Sequence, residues 1–395
     1  MKSRPTRTAC MVAYANYFND ARIKNYVDAL LRNGWEVDVF ALGGVHSAQP
    51  GLRVVSLMSK VANDKALPYL LSQLAFLVYG VAVVTRAALT RRYSLVHVHN
   101  MPNFIIFTAL FAKLFGARVV LDVHDTMPES YATKFDVPLS HPVIVLLRLE
   151  ERLSAKFADL ILTTNDLHVE TLVGHGLPRS KIRIIMNVGN PALFAPRPAR
   201  AFRADHGLVL GYHGTIAERL GLDLVVEAVH RALPSCEGLR LVLIGDGEFM
   251  PVVRRLVENY ALQNVVSLNG WVPVEQLPRA LAEVDTGVVG NRRRTEVHQN
   301  WMLPVKMLEY AAMEIPTIAP RLRAITQYFD DASALLYTAD DIDDLTRVIK
   351  ETYWDPACLD RVRMGLRTFN ARYNWPSMET RYLELVRDLT GLGVA

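Results

Sequence analysis

Two doubly wound α/β domains, each a parallel Rossmann-like sheet and the pair facing a central cleft, are the fold this 395-residue sequence predicts. Three observations predict it. Short β-branched runs alternate with helical stretches, the pattern of parallel βαβ units. The alternation stops at Asn187–Asp205, which has three prolines and no periodicity, and restarts at Leu208. Finally, 395 residues that are 51% hydrophobic suffice for two cores of ordinary size.

In the first half, Thr8–Ala15, Glu36–Leu42, Arg53–Met58, Leu95–His99, Val119–Val123, Leu160–Thr164 and Arg183–Met186 read as strands. Helices fill gaps between them, at Ala21–Asn33, Phe104–Phe115 and Val143–Phe157. In the second half the strands are Leu208–Tyr212, Leu239–Ile244, Val265–Leu268, Thr286–Val289, Thr317–Ala319 and Ala334–Tyr337. The expected division is an N-terminal domain over 1–190, a C-terminal domain over 205–370, and a last helix, 371–395, packing back toward the N-terminal domain. Ligands of open parallel sheets sit at the carboxyl ends of strands, so the residues just after each strand are the functional candidates.

Ala66–Thr85 carries no charge between Lys65 and Arg86 and is about as long as a bilayer-crossing helix. The strands Leu52–Met58 and Ser94–His99 on either side belong to one parallel sheet, which argues against a span. A helix buried on the sheet is one reading. The favoured one is a helix partly dipped into a membrane face, flanked by Lys60, Lys65, Arg86, Arg91 and Arg92. Leu70, Leu74, Phe76, Val78 and Tyr79 offer more apolar surface than one packing face requires.

A formal charge of +4 is too weak to imply nucleic-acid binding, and it suits acidic small molecules or an anionic membrane surface. Cys10, Cys236 and Cys358 are far apart, have no metal-ligand spacing and cannot all pair. A reducing cytoplasm follows as the expected compartment. The basic start Met1–Thr8 runs into a strand rather than the apolar core of an export signal, so an unexported chain is expected.

The richest stretch for chemistry is Pro304–Pro316, Pro-Val-Lys-Met-Leu-Glu-Tyr-Ala-Ala-Met-Glu-Ile-Pro. Pro304 suits a helix start, which sets Lys306 and Glu309 one turn apart on one face near the positive end of the helix dipole. That is a charge-matched seat for a diphosphate and a neighbouring sugar hydroxyl; a surface salt-bridged turn is the competing reading. Two strand ends run into glycine turns, Gly214-Thr215 after Tyr212-His213 and Gly245-Asp246-Gly247-Glu248 after Ile244. Such turns let backbone N–H groups approach phosphate. Neither matches Gly-x-Gly-x-x-Gly or a Lys-Ser/Thr phosphate loop, which weighs against hydride transfer or ATP use.

These segments together resemble the glycosyltransferase 4 family of retaining GT-B glycosyltransferases. Pro304-Val-Lys306-Met-Leu-Glu309-Tyr310 is similar to its Pro-x-Lys-x-x-Glu-Tyr helix, Tyr212–Ala228 to its glycine loop and following helix, and Leu243–Glu248 to its Ile-Gly-x-Gly turn. Asn264–Pro273 resembles the segment whose backbone, around Val272, meets the base, and Phe194–Pro196 the stretch leading into the donor domain. His124-Asp125-Thr126-Met127-Pro128-Glu129 resembles the His-Asp-x-x-Pro-Glu run of a subgroup serving polysaccharide or lipid-linked acceptors. The likeness covers roughly 300 residues in order.

The resemblance implies an N-terminal acceptor domain and a C-terminal nucleotide-sugar domain. Lys306 would face phosphate, Glu309 the ribose, and Gly214, Thr215, Gly245, Gly247 and Val272 would line the donor. Catalytic candidates are His124, Arg219 and Lys306; acceptor-side candidates are Asp20, Arg22, His99, Asp125 and Glu129, with His97 further from its strand's end. No cofactor and no metal are expected, since no Asp-x-Asp pair or His/carboxylate cluster is found that requires one. Expected partners are a nucleotide sugar, a glycan or polyprenyl-linked acceptor and a membrane surface met through 66–90. The location implied is the cytoplasmic face of the cell membrane, in surface polysaccharide or glycoconjugate synthesis.

Three departures stand out. Trp301 replaces a second glutamate, with Glu296 the nearest acid; Thr215 and Leu220 replace the basic pair of the glycine-loop helix, leaving Arg219 and then Arg292–Arg294 as phosphate contacts. Glu314 replaces a glycine before the Ile-Pro turn. Two other functions stay open at this point: a nucleotide-sugar epimerase of the same fold, and a non-catalytic two-domain protein that closes on a small ligand.

Overall fold

Strand β1 (Thr8–Asn16) has no charged side chain and its first six residues are buried, because it lies inside a sheet covered on both faces. The structure is a computed structural model that describes residues 7–43, 47–59, 66–135, 137–196, 207–293 and 302–392. The chain forms two units, Met1–Met186 with Pro376–Ala395, and Asn187–Trp375.

In the first unit β1 is followed by α1 (Ala21–Arg32), β2 (Glu36–Leu42), β3 (Ser47–Gln49), β4 (Leu52–Met58), α2 (Ala66–Arg91) and β5 (Leu95–His99). Then come α3 (Leu110–Leu114), β6 (Arg118–Val123), α4 (Met127–Phe135), α5 (Pro142–Phe157), β7 (Leu160–Thr163), α6 (Asp166–Gly174) and β8 (Ile182–Ile184). The sheet order is β3-β4-β2-β1-β5-β6-β7-β8, parallel except for β3 against β4. Because parallel crossovers are right-handed, the steps β4 to β5, β5 to β6 and β6 to β7 put α2, α3 and α5 on one face, and the reverse step β1 to β2 puts α1 on the other.

Side-chain alternation divides the strands accordingly. Val96, Val98, Val119 and Leu121 join a core with Phe76 and Val84 of α2, Ala112 of α3 and Ala155 of α5. The alternate positions, His97, His99 and Asp122, are buried on the other face near Tyr26 of α1. The last helix of the chain, Trp375–Thr390, adds Tyr382, whose ring lies 4.4 Å from that of Tyr26, and Glu379, which pairs with Arg32.

The second unit contains β9 (Val209–His213), α7 (Leu222–Ala232), β10 (Arg240–Ile244), α8 (Met250–Asn259), β11 (Val266–Leu268), α9 (Leu277–Ala280) and β12 (Thr286–Val288). It continues with α10 (Val305–Ala312), β13 (Thr317–Pro320), α11 (Arg323–Thr326), β14 (Leu335–Tyr337), α12 (Ile342–Trp354) and α13 (Ala357–Arg372); Trp375–Thr390 is α14. Its sheet is wholly parallel, in the order β11-β10-β9-β12-β13-β14. Tyr310 anchors α10 to it. Its hydroxyl donates to the Gly211 carbonyl (2.8 Å), and a Cβ at Gly287 would come within 2.5 Å of its ring.

Two expectations change. Phe76 does not face outward: it is fully buried against the sheet, while Val78 and Tyr79 on the same helix are exposed. Phe104–Phe115 is not one α-helix; Asn103–Ala109 is a 3₁₀ turn before α3, since β-branched Ile105, Ile106 and Thr108 favour α-helix poorly and the Thr108 hydroxyl bonds the Ile105 carbonyl. The short strand β3 has too little β-branched pattern to be read from the chain. Glu314, in the place of a glycine, does adopt the left-handed conformation at the end of α10 (φ 56°), held by an ion pair with Arg367.

The burial of Phe76 sets a measurable contrast. Phe76→Ala is expected to cost roughly 3–5 kcal/mol in urea unfolding, whereas Val78→Ala should stay within about 0.5 kcal/mol of the wild type. Equal effects would contradict this packing.

Candidate active site

The second unit gathers its polar side chains where β9 ends and α10 begins. Lys306 is only 9% exposed; its ammonium donates to the Tyr212 hydroxyl (2.8 Å) and lies 4.0 Å from the centre of that ring. Tyr212 passes the chain on by donating to the Thr215 carbonyl (2.5 Å). Burial pushes the Lys306 ammonium down to about 7; Glu309 opposes the shift and the charge of Arg219 adds to it. A lysine held there is short of negative charge and gains from an arriving anion.

Glu309 sits 2.6 Å, Oε2 to Nε2, from His213, whose N–H donates to the carboxylate. His213 is buried, packs edge-on against Tyr310 (4.7 Å), and its Nδ1 has no partner among the described residues. In the sequence Tyr212 ends a strand and His213 opens the glycine turn after it, and neither stands out as a site residue. Their signal is weak: two hydrogen-bonding aromatics at the end of an apolar run.

The glycine turns do something other than expected. The Gly214 amide donates to the Ile244 carbonyl (2.9 Å), Gly245 to the Gly270 carbonyl (2.6 Å) and Gly247 to the Asp246 carboxylate (2.8 Å). All three amides are therefore engaged inside the protein. Glycine is needed because the turns touch: a Cβ on Gly245 would lie 1.9 Å from the Gly214 carbonyl oxygen. Gly214 and Thr215 are exposed, Arg219 is half-buried, and Val272 packs on the cluster around Ile244 and Tyr310. Arg292 is held in an ion pair with Asp223. Arg294, Glu296 and Trp301 lie outside the described residues.

The first unit has its own polar centre at the carboxyl ends of β5 and β6. Arg22 grips Asp122 through two hydrogen bonds (2.9 and 2.7 Å) and donates to the Ile185 carbonyl (2.9 Å). Asp122 also meets His99 Nδ1 (3.2 Å) and His124 Nε2 (2.9 Å). Burial alone would raise the Asp122 carboxyl; Arg22 and His124 outweigh it and hold it well below the usual range. His97 and His99 are lowered, first by burial. Of this group only His124, 24% exposed, presents an edge to solvent.

Several acceptor-side candidates are thereby reassigned. Arg22 and His99 are buried partners of Asp122. Asp20 caps α1, accepting from the Ile23 amide (3.0 Å). Glu129 is 2% exposed and bonds His175 (2.9 Å), which also bonds Glu151 (2.5 Å). Asp125 is half-buried, its carbonyl taken by Asn100 (2.7 Å). His97, His99 and Asp122 do offer ligand atoms within 4.8 Å of one another, a grouping made by the pairing of β5 with β6. The set fits a divalent cation poorly, because both Asp122 oxygens already serve the fixed positive charge of Arg22.

Residues 20–188 match the family described as glycosyl transferase 4-like domain, and residues 207–355 that described as glycosyl transferases group 1. The chain belongs to the glycosyltransferase 4 type of GT-B glycosyltransferases. It is 23% identical over 98% of its length to a phosphatidylinositol N-acetylglucosaminyltransferase component of Arabidopsis thaliana, covering 83% of that protein. It is 21% identical over 74% of its length to chitobiosyldiphosphodolichol beta-mannosyltransferase of Candida albicans, covering 68% of that protein. Its fold is similar to sucrose-phosphate synthase from Thermosynechococcus elongatus (TM-score 0.77, 18% identity, 97% of this chain and 99% of that one). It is also similar to Anabaena HepE in complex with UDP-glucose (TM-score 0.70, 14% identity, 96% and 100%).

The buried triad of Glu129, His175 and Glu151 makes stability depend on pH. Burial would lower the His175 imidazolium, but the two carboxylates raise it to about 9. Its stabilisation is complete below its ordinary pKa of 6.5 and is lost as pH rises through 9. In urea unfolding at several pH values, the gap between wild type and His175→Gln should narrow across that window; a gap independent of pH would rule out the charged triad.

Proposed function

We propose that the protein transfers a sugar from a nucleotide-sugar donor to a glycan or lipid-linked acceptor, with retention of anomeric configuration, in the synthesis of surface polysaccharide or glycoconjugate. The observation that carries this reading is the desolvated Lys306 beside Glu309 at the end of β9, in a unit that resembles glycosyltransferase donor domains. A departing nucleoside diphosphate develops negative charge, and an ammonium already held out of water stabilises that charge more than one in bulk solvent. Lys306 and Arg219 take this role; Glu309, fixed by His213, accepts from the ribose hydroxyls. In the first unit His124, oriented by Asp122, is assigned to the acceptor and sugar. The attack is from the face the diphosphate leaves, and the leaving phosphate helps take the acceptor proton. Two relatives have names that specify lipid-linked acceptors, which favours that class here, at the cytoplasmic face of a membrane.

Radiolabelled nucleotide sugars incubated with and without a membrane extract test the reading. Lys306→Ala and Glu309→Ala are expected to lose roughly 100-fold or more in turnover with the unfolding midpoint near wild type. Wild-type turnover in both would overturn the donor assignment. Interconversion of the donor sugar without acceptor would instead identify an epimerase.

Since the two cationic side chains supply the charge stabilisation, turnover is expected to persist in EDTA. Loss of activity restored by Mg²⁺ or Mn²⁺ would show that a cation is needed at the diphosphate.

A further inference from the structure

Helices α2, α3 and α5 form one layer on the same face of the first sheet, and the outward side of that layer is apolar. An ordinary covering helix turns charge to water. Here Val78 and Leu114 are each 71% exposed, and Tyr79, Phe115, Leu146 and Leu149 are more than half exposed. The helices are continuous neighbours: Phe107, in the turn before α3, packs its ring at a tilt against Phe157 of α5 (5.2 Å between centroids), and Lys113 of α3 donates to the Phe157 carbonyl (2.6 Å). The inward sides are already spent on the sheet, through Phe76, Ala112 and Ala155.

Charge on this layer has one sign. Arg86 and Arg92 at the end of α2 and Arg152 and Lys156 of α5 are exposed. Among the described residues of the three helices the only carboxylates are Glu150 and Glu151. Glu151 is buried; burial pushes Glu150 up to about 7, and it is hydrogen-bonded to Ser154 and Asn103.

We infer that this three-helix face is a docking surface for an anionic lipid bilayer, extending the contact through 66–90 to α3 and α5. Apolar side chains enter the acyl boundary while basic ones meet lipid phosphates. A second copy of the chain fits worse, because a two-fold contact sets the same basic residues against each other. The face does not span the bilayer: α2 lies between two strands of one sheet and is sealed to it by Phe76. The inference rests on the proposed function for the membrane's identity alone; exposure and charge carry the rest.

Flotation with vesicles of phosphatidylcholine, with and without phosphatidylglycerol, tests it. The wild type should float with the anionic vesicles and less with the neutral ones. In Val78→Glu, Leu114→Glu and Leu146→Glu, partition should fall roughly tenfold each, with circular dichroism and thermal midpoint unchanged. Wild type that stays at the bottom with anionic vesicles, or variants that float like it, overturns the inference. So does a concentration-dependent dimer in light scattering that these substitutions dissociate. UDP binding by the triple variant is measured in parallel without vesicles; retained binding with lost flotation separates this surface from the donor site.

Discussion

The Lys306 ammonium lies out of water against the Tyr212 ring, and the proposed donor site of the second unit rests on that burial. An exposed lysine would keep its proton and contribute little to one ligand charge. Here the position follows from packing at a distance. Tyr310 packs its ring against Gly287 and bonds Gly211, which holds α10 against the end of β9. Lys306 then reaches Tyr212, and Glu309 reaches His213, from adjacent turns of one helix. The two glycine turns touch backbone to backbone, leaving no room for a side chain between them.

The first unit depends in a comparable way on one buried carboxylate. Asp122 is tolerated in the sheet because Arg22 neutralises it bidentately and two histidines share its remaining capacity. The outcome is a fixed orientation for His124 at the edge of an otherwise closed cluster. The same sheet separates two environments. Its one face holds this polar centre under α1 and α14, and its other face carries the layer whose outer side is apolar.

Much of this is legible along the chain. The alternation of strands and helices, the Lys306–Glu309 spacing and the left-handed place of Glu314 are local, and local rules reach them. The assignments that fail have one cause: a polar residue near a strand end looks the same whether it faces a substrate or a buried partner. Arg22, His99 and Glu129 read along the chain as acceptor contacts and are interior groups. Phe76 reads with the membrane-facing residues, since the nearly all-apolar α2 carries no periodicity to say which side meets the sheet.

By itself the sequence determined two parallel α/β units, the family and the helix that carries Lys306 and Glu309, because period and spacing are properties of consecutive residues. Only the tertiary structure decided that the glycine amides are engaged, that His213 and Asp122 orient neighbouring groups, and that α3 and α5 add to an exposed apolar layer. Those facts arise from contacts between residues far apart in the chain. Whether a side chain meets water, a partner or the sheet depends on what packs over it, and no local pattern encodes that.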